Sequence, residues 1–68
     1  MEIFAKRIKE LRLEKGLTVV KMGELLKMTH NAYLRYEHNT SEPTQKNLVI
    51  LAKFFGVSTD YLLGLSDV

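Results

Sequence analysis

The sequence predicts an all-α fold, a compact bundle of five short helices, and three features carry that prediction. Apolar residues recur at helical spacing in successive segments, clear alternation of period two is missing, and one proline and four glycines punctuate the series. With 68 residues there is room for one small domain, 1–68, in which folding buries only about 60 % of the unfolded surface. The chain has no cysteine, which excludes disulfides and thiolate metal sites. Apolar residues make up 46 % and charged residues 26 %, the balance of a soluble globular protein rather than a collagen-like, low-complexity or disordered one. A net charge of +2 permits a polyanionic partner without demanding one. No stretch approaches the roughly 20 apolar residues of a membrane span, and the start lacks a signal-like apolar segment, so a cytoplasmic location is expected.

In the first helix Phe4, Ile8 and Leu11 form one stripe, with Leu13 pointing outward and Gly16 as the stop. Thr18 is placed to cap a second helix of two turns, on which Val19, Met22, Leu25 and Leu26 share a face that excludes Val20. Thr29 can cap a third helix that buries Tyr33 and Tyr36. The two caps lie eleven residues apart, which requires a short helix, a turn through Lys27 and Met28, and a second helix at a steep angle. That is a helix-turn-helix motif over about 18–38. After the polar loop His38–Pro43, Thr44 can cap a fourth helix burying Leu48, Leu51, Ala52 and Phe55, closed by Gly56. Ser58 caps a short fifth helix, with Asp60 in its first turn, Leu62 and Leu63 as anchors and Gly64 as the end.

The pairs and triplets Leu11-Arg12, Gly16-Leu17-Thr18, Arg35-Tyr36-Glu37, Glu42-Pro43, Leu51-Ala52-Lys53 and Gly56-Val57-Ser58, running on to Leu62-Leu63-Gly64, occur in one order without gaps. In that order they resemble the Cro/C1-type (Xre-like, lambda-repressor-like) helix-turn-helix family over nearly the whole chain. The resemblance implies a transcriptional regulator, typically a repressor, whose third helix enters the major groove of double-stranded DNA. It places base contacts at Thr29, His30, Asn31 and Arg35, with Leu34 between them. Counting 100° per residue puts Asn31, Leu34, Arg35 and His38 opposite Tyr33, Tyr36 and Glu37, while His30 lies at the tip that enters the groove first. The side chains suit the task, because an asparagine pairs bidentately with adenine, an arginine with guanine, and an apolar group meets a thymine methyl.

Phosphate contacts are expected from Thr18, Lys21 and Lys27, and from Asn39 and Thr40 in the loop. Several positions depart from the family pattern: Val19 replaces a glutamine, Gly23 an alanine, Lys27 the glycine of the turn, and Asn39, Thr40 and Ser41 the usual basic residues. The resemblance also implies a partly buried ion pair between Arg12 and Glu37. Ile50 and Phe54 add an apolar stripe to the fourth helix. Either the fifth helix covers it, or it joins Tyr61, Leu62 and Leu65 in a homodimer, which is the expectation adopted.

An enzyme is not expected. His30 and His38 are eight residues apart, too far for an i, i+4 metal pair, and no glycine-rich phosphate cradle precedes a helix. No metal and no cofactor are expected. The rival reading is a protein-interaction module, antirepressor-like or antitoxin-like, that keeps the fold with weak or no DNA binding.

Overall fold

The computed structural model describes residues 1–68 and contains five helices: α1 Glu2–Glu14, α2 Val19–Leu26, α3 His30–Glu37, α4 Gln45–Phe55 and α5 Thr59–Leu63. Four of the five begin at a hydroxyl cap. Thr18, Thr29, Thr44 and Ser58 each accept the backbone N–H three residues on, at 3.1, 3.1, 3.1 and 2.9 Å, satisfying a donor that the first helical turn leaves free. Helix α2 packs on α3, α1 on α3 and α5, and α4 on α5.

One core fills the space between them, built from Phe4, Ile8, Met22, Leu26, Tyr33, Tyr36, Leu51, Ala52 and Leu62. Tyr36 stands at its centre, edge-on to both Phe4 (5.8 Å between ring centroids) and Tyr33 (6.2 Å). Leu13 and Val20 are exposed, as their helical phase requires. On α4 the burial is shallower than the spacing predicts: Leu51 and Ala52 are buried, whereas Leu48 and Phe55 are only half-buried. Leu62 departs in the opposite direction, meeting its expectation as an anchor of α5 and not its expectation at a dimer surface. It is fully buried, at 0 % exposure, and so belongs to the core that α5 closes rather than to a surface between subunits.

Arg7 fastens α5 to α1. Its Nη1 donates to the carbonyls of Tyr61 and Ser66, the latter at 2.9 Å, and its guanidinium lies 4.1 Å from the centroid of the Tyr61 ring. A cation at the end of a short helix is favoured by the helix dipole, and here it adds a second donor to the Tyr61 carbonyl, which already accepts the Gly64 N–H.

The α2–α3 turn is tight for two linked reasons. Lys27 adopts the left-handed conformation at φ 56° and ψ 46°, which lets Met28 N–H reach back to the Gly23 carbonyl at 2.9 Å. Gly23 then lies so close to the incoming chain that an added Cβ would sit 2.7 Å from the Met28 carbonyl oxygen. A side chain at 23 would force the turn open. Left-handed backbone costs a residue with a Cβ about 1–2 kcal/mol, and glycine gives back about 0.4–1 kcal/mol through its freer unfolded chain. Lys27→Gly is therefore expected to stabilise the protein by about 0.5–1 kcal/mol in urea unfolding. Destabilisation would show that the lysine side chain holds the turn.

Candidate nucleic-acid interface

Helix α3 is only two turns long, too short to hold a direction by itself in water. Its orientation comes from polar groups on its inner side. Arg12 of α1 grips Glu37 bidentately, Nε donating to Oε2 at 2.7 Å and Nη2 to Oε1 at 3.0 Å, while Nη1 donates to the Leu17 carbonyl at 3.0 Å. The Tyr33 hydroxyl donates to the same Glu37 Oε2. The pair is largely shielded from solvent, with side-chain exposures of 12 % for Arg12 and 3 % for Glu37. Its hydrogen bond to Glu37 holds the Arg12 guanidinium above its ordinary value against the opposing effect of burial. Burial first, and then the hydrogen bond to Glu37, push the Tyr33 phenol well above its ordinary range. This network joins the end of α3 to both ends of the α1–α2 connection.

With Tyr33, Tyr36 and Glu37 committed inward, the opposite side of α3 is left to the exterior. Asn31, Arg35 and His38 are exposed there, His30 is exposed at the first helical position, and Leu34 between them is half-buried. Thr29 is exposed, but its hydroxyl accepts the Ala32 N–H. Along the length of α3, therefore, an amide, a guanidinium, two imidazoles and one aliphatic side chain share one convex face.

The groups expected at phosphate are in varied states. Thr18 is exposed and its hydroxyl is used as the α2 cap. Lys21 lies 3.5 Å from Glu24 in an exposed pair, which water screens heavily. Lys27 is exposed at the left-handed turn position. In the loop Asn39 is left-handed, at φ 60°, and its Oδ1 accepts from the Met1 ammonium at 2.5 Å. The Thr40 hydroxyl donates to the Arg35 carbonyl at 3.3 Å, closing the C-terminal end of α3. Among the residues expected at a dimer surface, Phe54 and Leu65 are 39 % and 76 % exposed, whereas Ile50 and Tyr61 are half-buried against the core.

Two residues with structural roles, Asn47 beside this site and Arg7 at the α1–α5 contact, do not stand out in the sequence. Asn47 of α4 donates to the Tyr36 hydroxyl at 3.0 Å, across eleven positions of chain, and Arg7 reaches residues more than fifty positions away. Asn47 follows the Thr44 cap at the three-residue spacing of a capped amide, and this is the one local signal it carries.

A short capped helix, a left-handed turn and a second capped helix with its outer face bare define a helix-turn-helix domain. The comparisons agree: the helix-turn-helix family model matches residues 8–62, and the chain belongs to this Cro/C1-type family. The uncharacterized HTH-type transcriptional regulator YobD of Bacillus subtilis is 35 % identical over 65 residues, covering 96 % of this chain and 58 % of YobD. The SPbeta prophage-derived uncharacterized HTH-type transcriptional regulator YonR of the same organism is 39 % identical over 61 residues, 90 % of this chain and 56 % of YonR. The cryptic phage CTXphi transcriptional repressor RstR of Vibrio cholerae is 32 % identical over 65 residues, 96 % and 59 % of the two chains. The chain spans a little over half the length of these relatives. No solved structure matches it significantly.

Removing one partner of a buried ion pair costs about 3–5 kcal/mol, because the other charge is left alone. Arg12→Ala is expected to lower the thermal midpoint accordingly, and an unchanged midpoint would show that the pair holds nothing. A second consequence concerns alkaline pH. Above the ordinary tyrosine value of about 10 the unfolded chain ionises at Tyr33 while the folded chain keeps its proton, so the folded state binds more protons and stability falls. Its contribution is intact below pH 10 and declines by about 1.4 kcal/mol per pH unit above it. Urea unfolding between pH 9 and 11 should show this decline, and Tyr33→Phe should lack it. Equal slopes in the two proteins would place the phenol in a solvent-like setting.

Proposed function

We propose that residues 1–68 act as one helix-turn-helix domain of a sequence-specific transcriptional regulator, reading double-stranded DNA through the major groove with α3. The observation that carries this reading is the division of α3 into a fully committed inner side and a bare outer face. On that face Asn31 and Arg35 serve as hydrogen-bonding readers of base edges, His30 and Thr29 as contacts at the entering tip, and Leu34 as a partner for a thymine methyl. Thr18, Lys21, Lys27, Asn39 and Thr40 serve as phosphate contacts, the two lysines acting as point charges, Thr18 as a hydroxyl donor and Asn39 as an amide donor, while Thr40 donates only by exchanging the Arg35 carbonyl for the phosphate.

Repression is the simplest outcome for a domain that occupies a promoter, and one relative, RstR, bears the name of a repressor. We read the domain as a cytoplasmic binding protein and not an enzyme. The capping hydroxyls of Thr18, Thr29, Thr44 and Ser58 are all engaged with backbone. No helix is long and apolar enough to cross a membrane. Exposed Phe54 and Leu65, with the edges of Ile50 and Tyr61, support a homodimer that sets two α3 helices about 34 Å apart on one side of the duplex. An interaction module without DNA affinity is the competing reading, favoured by the uncharged loop Asn39–Ser41 and by Val19 at the start of α2.

Binding to random duplex DNA as a function of salt separates the two. Neutralising Z phosphates gives a log–log slope near −0.9Z, so several contacts yield a steep line. On a preferred sequence, Asn31→Ala and Arg35→Ala should each lose about 1–3 kcal/mol of discrimination at single base positions, while Lys27→Ala weakens all sequences alike. A flat salt response would favour the interaction module.

A further inference from the structure

The outer face of α3 can discriminate bases only if its roll about the helix axis is fixed, and the Arg12–Glu37 pair grips it at one end. A second polar contact lies on the side facing α4. Asn47 Nδ2 donates to the Tyr36 hydroxyl at 3.0 Å and lies 3.8 Å from the sulfur of Met28 in the α2–α3 turn. Its own backbone is held by the Thr44 cap at 3.1 Å. Half-buried Asn47 therefore touches the turn and the inner side of α3 from the first turn of α4. Tyr36 is 3 % exposed, with its ring wedged edge-on between Phe4 and Tyr33. Any displacement of its hydroxyl is accordingly a rotation of α3 itself.

We propose that Asn47 is a positioning residue for base recognition: by holding the Tyr36 hydroxyl it sets the roll of α3, and with it the placement of Asn31 and Arg35 against base edges. The proposal rests on the DNA-binding reading above. Side-chain tips stand roughly 6 Å from a helix axis, so a roll of about 10° carries them about 1 Å sideways. A sideways shift of that size lengthens a bond of about 2.9 Å only slightly but tilts it by about 20°, and for a bidentate pair it takes both bonds out of register with the base edge, weakening them together. Long, flexible lysines on phosphate absorb the same shift, because their attraction is not directional in this way. Asn47 thus governs sequence preference and leaves general DNA affinity alone.

Two probes test this: duplexes enriched from a random library by the wild-type chain, and the unenriched library itself. Asn47→Ala, Tyr36→Phe and the double variant are measured at a temperature where circular dichroism shows each folded. Tyr36→Phe keeps the ring and removes only the hydroxyl, so the test survives if Asn47→Ala does not fold. Each single variant should lower the ratio of specific to random affinity about tenfold, the scale of one net hydrogen bond. The double variant should lose no more than either single one, and the salt slope on random DNA should stay that of the wild type. A ratio within twofold of wild type, or losses that multiply in the double variant, would overturn the role of Asn47 while leaving DNA binding intact. Failure of the wild-type chain to enrich any sequence would overturn the DNA-binding reading and this proposal together.

Discussion

A buried carboxylate in a small α-helical protein has to be answered by a charge, and Glu37 is answered by Arg12 in a fork of two hydrogen bonds. Everything outward of α3 depends on that requirement. An apolar pair of similar volume could supply comparable or greater stability, but it would not fix an angle and a distance as a guanidinium and a carboxylate do. The Tyr33 hydroxyl, on the preceding turn of the same helix, donates to the same carboxylate and prevents it from choosing another rotamer. The cost of desolvating the pair is thereby turned into direction for a helix too short to have any of its own.

The same economy appears in the core. A 68-residue chain has few large side chains to bury, and two of the largest, Tyr33 and Tyr36, are tyrosines. Their rings supply apolar area and edge-on packing, and their hydroxyls emerge at the rim to meet Glu37 and Asn47. Core and positioning device are one set of atoms. A substitution that keeps the ring and deletes the hydroxyl therefore separates packing from alignment, which truncation to alanine cannot do.

Local chemistry in this sequence is loud, and it declares the elements. Thr18, Thr29, Thr44 and Ser58 mark four helix starts because a hydroxyl before an apolar-periodic segment has one favourable use there, and Gly56 and Gly64 mark two ends. The inner and outer sides of α3 follow from 100° steps for the same reason. Leu62, read both as an anchor of α5 and as part of a surface between subunits, is buried as the first role requires; α5 has five residues, little more than one turn, too short for a period to choose between them. Asn47 and Arg7 were silent because their partners are distant in sequence and polar helical residues carry no periodic signal. The left-handed backbone of Lys27 is readable only through the glycine that the family pattern implies there, and the close approach at Gly23 that accompanies it is visible only in three dimensions.

One surface, the outer face of α3, is proposed to meet one ligand, duplex DNA. Amide chemical-shift mapping of the isotopically labelled chain during titration with duplex DNA tests this most directly, because it reports every residue at once. Large shifts are expected from Thr29 to Arg35, at the start of α2, at Lys27 and in the loop at Asn39 and Thr40, with the outward side of α1 around Leu13 unmoved. Shifts confined to α1 and α5, or none at saturating DNA, would contradict it.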